Sequence, residues 1–193
     1  MARKENEMRK NVVMSILLLL MGLAVSGCSQ GMMGSMGTNT VKSVGPPPII
    51  TDYFAAKQGE YGDVLKVYIA AEDPSGDMEK IAIRVTQVGY GFYPYSWVYL
   101  KPKYQKKIVG YLQWNTSSSE AESLPEWTQL SITIRIIDRG GTQSNAVVLP
   151  HQFVTGKQPT PLLPAPFNQG KMTRVGWIDV ELVDPSAPGD WNR

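Results

Sequence analysis

Very few residues in this 193-residue chain could carry catalytic chemistry, since it holds one cysteine, Cys28, and one histidine, His151. A Ser-His-Asp or Cys-His arrangement would need His151, which follows Pro150 in a strand-like segment with no nucleophile motif beside it. A single Cys also excludes an internal disulfide and a cysteine-rich zinc site. We therefore expect no enzyme activity and no cofactor.

Four carboxylates fall in turn-like stretches and are the candidates for a calcium site. Calcium prefers clustered carboxylate oxygens, but aspartate is also an ordinary turn residue, and no EF-hand spacing is present. The expectation is that the chain binds no metal, with calcium kept as the alternative. The four candidates are Glu72, Asp73, Asp77 and Asp138.

An aromatic run between residues 90 and 99 is the most suggestive feature. Tyr and Trp side chains suit protein interfaces and sugar stacking. Strand alternation places Tyr95, Trp97 and Tyr99 on one face, either in the core or on a binding platform. Phe92 and Tyr93 precede the strand and are expected to point outward. The candidate binding residues are Tyr90, Phe92, Tyr93, Tyr95, Trp97 and Tyr99.

The amino terminus has the pattern of an export signal. Four basic and two acidic residues in 2–11 precede an uncharged run of 14 residues, Val12 to Val25. That run is shorter than the roughly 20 residues of a membrane span and fits a signal h-region. A plain signal peptide and an uncleaved anchor are the alternatives that this pattern leaves open.

The run ends in Val25-Ser26-Gly27-Cys28, which resembles the lipobox of bacterial lipoproteins. The resemblance implies cleavage after residue 27 and acylation of Cys28, with palmitate among the acyl groups. The residue after Cys28 is Ser29 rather than Asp, which in Gram-negative lipoproteins favours the outer membrane over the inner membrane. We expect a lipid-anchored protein of the cell envelope, facing the periplasm or the cell surface.

The net charge of the mature chain argues against a nucleic-acid partner. The full chain has 19 basic and 17 acidic side chains, and residues 1–27 hold four and two of these. The mature chain therefore keeps 15 of each and is formally neutral. We expect no binding to nucleic acid, and attachment to the membrane through the lipid rather than through charge.

Hydrophobic alternation predicts an all-β domain. Residues 28–47 read as a flexible tether, and residues 48–156 contain about seven strand patterns separated by turn signals. The clearest is 128–138, where Leu130, Ile132, Ile134 and Ile136 share one face. A two-sheet sandwich follows from this pattern.

Residues 124–134 and 138–145 resemble the E–F corner, F strand and F–G turn of a fibronectin type III or bacterial immunoglobulin-like domain. The resemblance implies a single immunoglobulin-like antiparallel β-sandwich. Leu130 replaces the usual corner tyrosine, and no cysteine pair joins the sheets. Residues 157–193 read as a Pro-rich linker, one further strand at 173–183, and a tail. That strand should pack back on the sandwich or join a partner's sheet.

These observations predict a lipid-anchored binding or structural module that acts through protein–protein interaction or adhesion. A carbohydrate-binding module that uses the aromatic run is the alternative. The expected partner is therefore an envelope protein or a glycan.

Overall fold

The computed structural model describes residues 45–186, which belong to one unit of the chain. The signal, Cys28, the tether up to residue 44 and residues 187–193 lie outside the described residues. The described part contains a 3₁₀ turn at Pro102–Tyr104, and none of its helices is long and apolar enough to cross a membrane. Its ten strands are β1 (Ile49–Ala55), β2 (Gln58–Gly59), β3 (Val64–Glu72), β4 (Met78–Gln87), β5 (Gly91–Phe92), β6 (Ser96–Tyr99), β7 (Lys107–Asn115), β8 (Gln129–Asp138), β9 (Val147–Phe153) and β10 (Arg174–Trp177).

The strands form two sheets that face each other as a sandwich. One sheet has the order β1-β3-β7-β10, and the other has the order β2-β9-β8-β4-β5, with β6 also paired to β4. Immunoglobulin domains place strands A, B and E in one sheet and C, F and G in the other. Here β1, β3 and β7 occupy the A, B and E positions, and β4, β8 and β9 occupy C, F and G. The predicted immunoglobulin-like sandwich is confirmed, and β8 is its F strand.

Side-chain alternation fixes which face of each strand lies in the core. Leu130, Ile132, Ile134 and Ile136 of β8 are buried, as predicted from their spacing. They lie side by side with the buried residues of β4 in the same sheet, because Ile83 pairs with Ile134 and Val85 pairs with Ile132. Since side chains alternate along a strand, the residues between them on β4 and β8 form the outer face of this sheet.

The sequence predicted an antiparallel sandwich, but two pairings at the sheet edges are parallel. Short β2 runs parallel to β9, and β10 runs parallel to β7. Strand β10 therefore lies beside the E strand, where strand D stands in an immunoglobulin domain. The chain reaches this position through two close approaches, because a Cβ on Gly110 would meet the Thr173 carbonyl oxygen and one on Gly176 would meet Val98.

Residues 178–183, called here the closing segment, follow β10 and join the two sheets. Ile178, Val180 and Leu182 point inward and are buried in the core. The indole Nε1 of Trp114 on β7 donates to the Val180 carbonyl at 3.1 Å. On the other sheet, the Gln87 amide donates to the Val183 carbonyl at 3.0 Å. The strand pattern at 173–183 thus packs back on its own sandwich.

The Pro-rich stretch from residue 157 also folds against the sandwich instead of extending away as a free linker. Phe167 is buried, and its ring lies 5.5 Å from that of Tyr68 on the outer face of β3. Tyr68 also contacts Phe54 and Tyr111. The segment after residue 156 therefore covers part of the β1-β3-β7 sheet.

The closing segment should contribute strongly to stability. We expect Leu182→Ala to lower the free energy of unfolding by about 2–5 kcal/mol, the usual cost of truncating a fully buried leucine. Asp179→Ala, an exposed position in the same segment, should stay within about 0.5 kcal/mol of the parent protein. Urea unfolding followed by tryptophan fluorescence measures both. Equal effects of the two substitutions would mean that the segment does not close the sandwich.

Candidate binding surface

The pairing of β6 with β4 decides where the aromatic run points. Trp97 lies opposite Ala82 and Tyr99 lies opposite Lys80, both on the outer face of β4. The alternate residues Ser96 and Val98 are buried. The rings of this strand therefore project from the outer surface of the β4-β8-β9 sheet.

Four rings form a continuous exposed strip, which we call the aromatic platform. Phe92 and Tyr99 are each 71% exposed, and Tyr95 and Trp97 are each more than 40% exposed. Phe92 extends the strip along β4, because it pairs with Thr86. Tyr95 and Trp97 contact each other, with ring centroids 5.4 Å apart. The alternative interpretation, in which Trp97 fills the core, is wrong because β6 turns this side chain outward.

Tyr93 does not belong to the platform, although the sequence analysis placed it on an outward loop. It is only 4% exposed. Its hydroxyl donates to the Gln87 side chain and accepts a hydrogen bond from the Val183 backbone N–H at 2.9 Å. Burial raises the pKa of Tyr93 to about 12, although the hydrogen bond from Val183 opposes the rise. Tyr90 stacks on Tyr93 at 4.8 Å and remains partly exposed.

Cations from β4 lie among the platform rings. The Arg84 guanidinium lies 4.2 Å from the centroid of the Tyr95 ring and 5.5 Å from that of Phe92. The Lys80 ammonium lies 5.4 Å from the centroid of Trp97. Alternation along β4 places Arg84 on the face opposite the core residues, but the position of either cation among the rings could not be predicted without the pairing of β4 with β6. The sequence did contain one indication of a cationic surface, because residues 81–119 contain no Asp or Glu.

Three of the four candidate calcium ligands have other partners, whereas the Oδ1 atom of Asp77 is buried without a hydrogen-bond partner among residues 45–186. Glu72 pairs with Lys107 at 2.6 Å, and this hydrogen bond and charge lower the pKa of Glu72. Asp73 accepts hydrogen bonds from the backbone N–H groups of Ser75 and Asp77. Asp138 accepts one from the Thr142 backbone at 2.7 Å. These contacts give Asp73 and Asp138 a role as turn caps.

Asp77 lies near both of the capping aspartates. Burial raises its pKa first, and the hydrogen bond with Asp73 and the charge of Asp138 raise it further. The described residues nevertheless contain no group of three or more His, Cys, Asp or Glu side chains arranged to hold a metal ion. We assign no calcium site to these carboxylates.

His151 lies at a groove of about 410 Å³, between the β2–β3 region and the Pro-rich stretch at 157–163. The imidazole is 3% exposed, and its Nδ1 donates to the Ala56 carbonyl at 2.8 Å. Burial lowers the pKa of His151, and the Ala56 hydrogen bond opposes this shift. The residue therefore anchors the crossing from β1 to β2.

Comparisons with known proteins add little to this description. No protein-family model matches the chain, and no curated protein sequence matches it significantly. Among solved structures, the chain is similar to the CARDB domain of the PF1109 protein from Pyrococcus furiosus, a domain described in complex with di-metal ions. The two are 10% identical, the TM-score is 0.33, and the similarity covers 58% of this chain and 92% of that domain. The immunoglobulin-like assignment therefore depends on the sheet order given above.

The contrast between Phe92 and Tyr93 can be tested by thermal unfolding. We expect Phe92→Ala to change the stability by no more than about 0.5 kcal/mol, as is usual for exposed positions. Tyr93→Phe should cost about 1–3 kcal/mol, because it leaves the buried Gln87 oxygen and Val183 N–H without their partner. Circular dichroism melts measure both variants. A larger loss for Phe92→Ala would place its ring in the core and contradict the exposed platform.

Proposed function

We propose that this chain is a lipid-anchored binding module of the cell envelope, held at the outer membrane through Cys28. Its immunoglobulin-like sandwich presents the aromatic platform to a macromolecular partner. The observation that carries this proposal is the row of four exposed rings on the outer face of the sheet. The lipobox-like signal supports the location, and the tether at 28–47 would hold the sandwich away from the membrane.

Exposed rings in a continuous row favour a binding role. Large aromatic side chains each bury 150–250 Å² when they are covered, so leaving four in water forgoes substantial stabilisation. The core does not need them, because Ser96 and Val98 supply the inward side of β6. Contiguous exposed apolar surface of this kind marks interaction sites in soluble domains.

The partner is an envelope protein or a glycan, and one observation favours the glycan. Lysine is depleted in the cores of protein–protein interfaces, yet Lys80 contacts the Trp97 ring and Lys101 follows Tyr99 by two residues. A sugar ring places its C–H face on an aromatic ring and leaves its polar groups for neighbouring cations. A carbohydrate-binding module is therefore the candidate that this surface supports better.

The proposal keeps the expectation of a non-catalytic role. The buried His151 donates its Nδ1 proton to a backbone carbonyl, which favours a structural role for the histidine. The candidate calcium ligands Asp73 and Asp138 cap turns. Nothing in the proposed binding role requires a cofactor.

Lipid attachment is tested by metabolic labelling with a palmitate analogue. We expect Cys28→Ala to accumulate as an unlabelled precursor, because the chain has no other cysteine. Ser26→Ala keeps a small residue before the cysteine and should be processed and labelled normally. Normal labelling of the Cys28→Ala chain would overturn the lipoprotein assignment.

Binding through the platform is tested with the full lipidated chain in detergent, on a glycan array and on isolated envelope fractions. We expect Trp97→Ala to weaken retention about thirtyfold, corresponding to a hot-spot loss of about 2 kcal/mol. Tyr53→Ala removes an exposed ring from β1 in the opposite sheet and should bind like the parent protein. Equal retention of both variants, with unchanged melting temperatures, would place the binding surface elsewhere.

A further inference from the structure

Among residues 45–186, no acceptor bonds to the side-chain donors of Arg84. Its Nε is buried without a hydrogen-bond partner, and no ion pair or side-chain hydrogen bond to Arg84 occurs within residues 45–186. Buried polar groups are normally satisfied, and each exception requires an explanation. The guanidinium instead lies beside the rings of Tyr95 and Phe92, at the two centroid distances given above.

Ring contacts of this kind prepare an arginine to bind an anion. The guanidinium is planar, always charged and weakly hydrated, and its donors match a carboxylate in a bidentate geometry. Rings beside it limit its rotamers, so less conformational entropy is lost when a ligand binds. By contrast, Arg174, which lies 4.0 Å from the centroid of the exposed Trp177 ring, already donates to Gln113.

The surroundings of Arg84 are cationic even though the mature chain is neutral. The outer face of β4 carries Lys80 and Arg84, and Arg135 of β8 lies opposite Ala82. Between residues 80 and 119, six cationic side chains occur without one carboxylate: Lys80, Arg84, Lys101, Lys103, Lys106 and Lys107. Two of these have acidic partners nearby, since Lys80 lies 3.4 Å from Glu79 and Lys107 pairs with Glu72.

The shape of this surface suits a linear polymer. From Tyr95 to Tyr99 the platform extends about 14 Å, at about 3.4 Å per residue, and Lys101 and Lys103 follow it in the connection that leads to β7. Along this length the rings of Tyr95, Trp97 and Tyr99 lie beside the β4 cations Lys80 and Arg84 on an open sheet face. A polysaccharide that carries carboxylates at intervals presents C–H faces and anions along a line in the same way.

We propose that the platform binds an acidic polysaccharide and that Arg84 recognises its carboxylate groups. This inference rests on the proposed binding function and adds to it the chemical class of the ligand. The sugar rings stack on Trp97 and Tyr99, and one uronate carboxylate accepts two hydrogen bonds from the terminal guanidinium nitrogens of Arg84, because its Nε is buried. Lys80 and the loop lysines provide less directional attraction, which salt screens.

Affinity electrophoresis of the full lipidated chain in detergent tests the proposal. The acidic probes are polygalacturonate, alginate and hyaluronate. Fully methyl-esterified polygalacturonate keeps the sugar backbone and removes the charge, and dextran is the neutral control. We expect retardation by at least one of the acidic probes. Blocking the carboxylates of polygalacturonate should weaken any retardation by this probe at least tenfold.

Substitutions at Arg84 distinguish specific recognition of a carboxylate from general electrostatic attraction to an anionic polymer. Arg84→Gln should weaken binding at least tenfold, about 1.4 kcal/mol, and Arg84→Lys should lose most of that affinity because it keeps the charge without the planar fork. Arg139→Gln removes an exposed cation from the β8–β9 turn and should bind within twofold of the parent. If Arg84→Gln unfolds in a melting experiment, Arg84→Lys alone decides the question.

Several outcomes would overturn the inference. One such outcome is equal retardation by polygalacturonate and its methyl ester, with the retardation lost in Trp97→Ala but kept in Arg84→Gln. The platform would then bind neutral glycans, and the proposed function would stand without the inference. Equal binding of poly-glutamate, dextran sulfate or oligothymidylate, insensitive to Arg84→Lys, would reduce the site to general attraction for anions. If none of the three acidic probes retards the chain, but the chain binds an envelope protein and Trp97→Ala abolishes that binding, the platform binds a protein partner. Failure of every probe together with unchanged envelope binding of Trp97→Ala would reject the proposed function as well.

Discussion

The structure depends on the closure of the sandwich by residues 178–183. Two sheets that face each other leave an open side, and the inward side chains there need cover and hydrogen-bond partners. The closing segment supplies both, because its apolar residues enter the core while its backbone bonds to Trp114 on one sheet and to Gln87 and Tyr93 on the other. No regular strand pairing is needed for this, since side chains provide most of the partners.

The same closure positions the binding surface. Tyr93 and Ser96 bond to the backbone of the closing segment, at Val183 and Asp179. Because Ser96 is held inward, strand alternation turns the side chains of Tyr95, Trp97 and Tyr99 outward. The pairing of β4 with β5 and β6 then places the Arg84 guanidinium beside the rings of Phe92 and Tyr95. The platform is therefore coupled to the part of the fold that completes the core.

The sequence allowed the strands to be predicted better than their partners. Alternation in β8 identified its core residues correctly, because one buried face imposes a period of two on the chain. The segment before β6 has no such period, so Phe92 and Tyr93 could not be told apart. Only the register revealed that Lys80 and Arg84 lie among the rings. The strand pattern at 173–183 was recognised, but only Arg174–Trp177 pairs as a strand, and residues 178–183 join both sheets instead of continuing it.

The position of the closing segment in the chain also has a consequence for biogenesis. The segment that covers Trp114 and bonds to Tyr93 is synthesised after all of the strands that it joins. Contacts between residues so far apart in sequence are entropically costly to form early, and folds rich in them mature slowly. A chain that is exported as proposed would remain without its last layer during transit. Because the core would be completed late, the chain would stay unfolded enough to pass through a translocation channel. Its core would then pack tightly only after export.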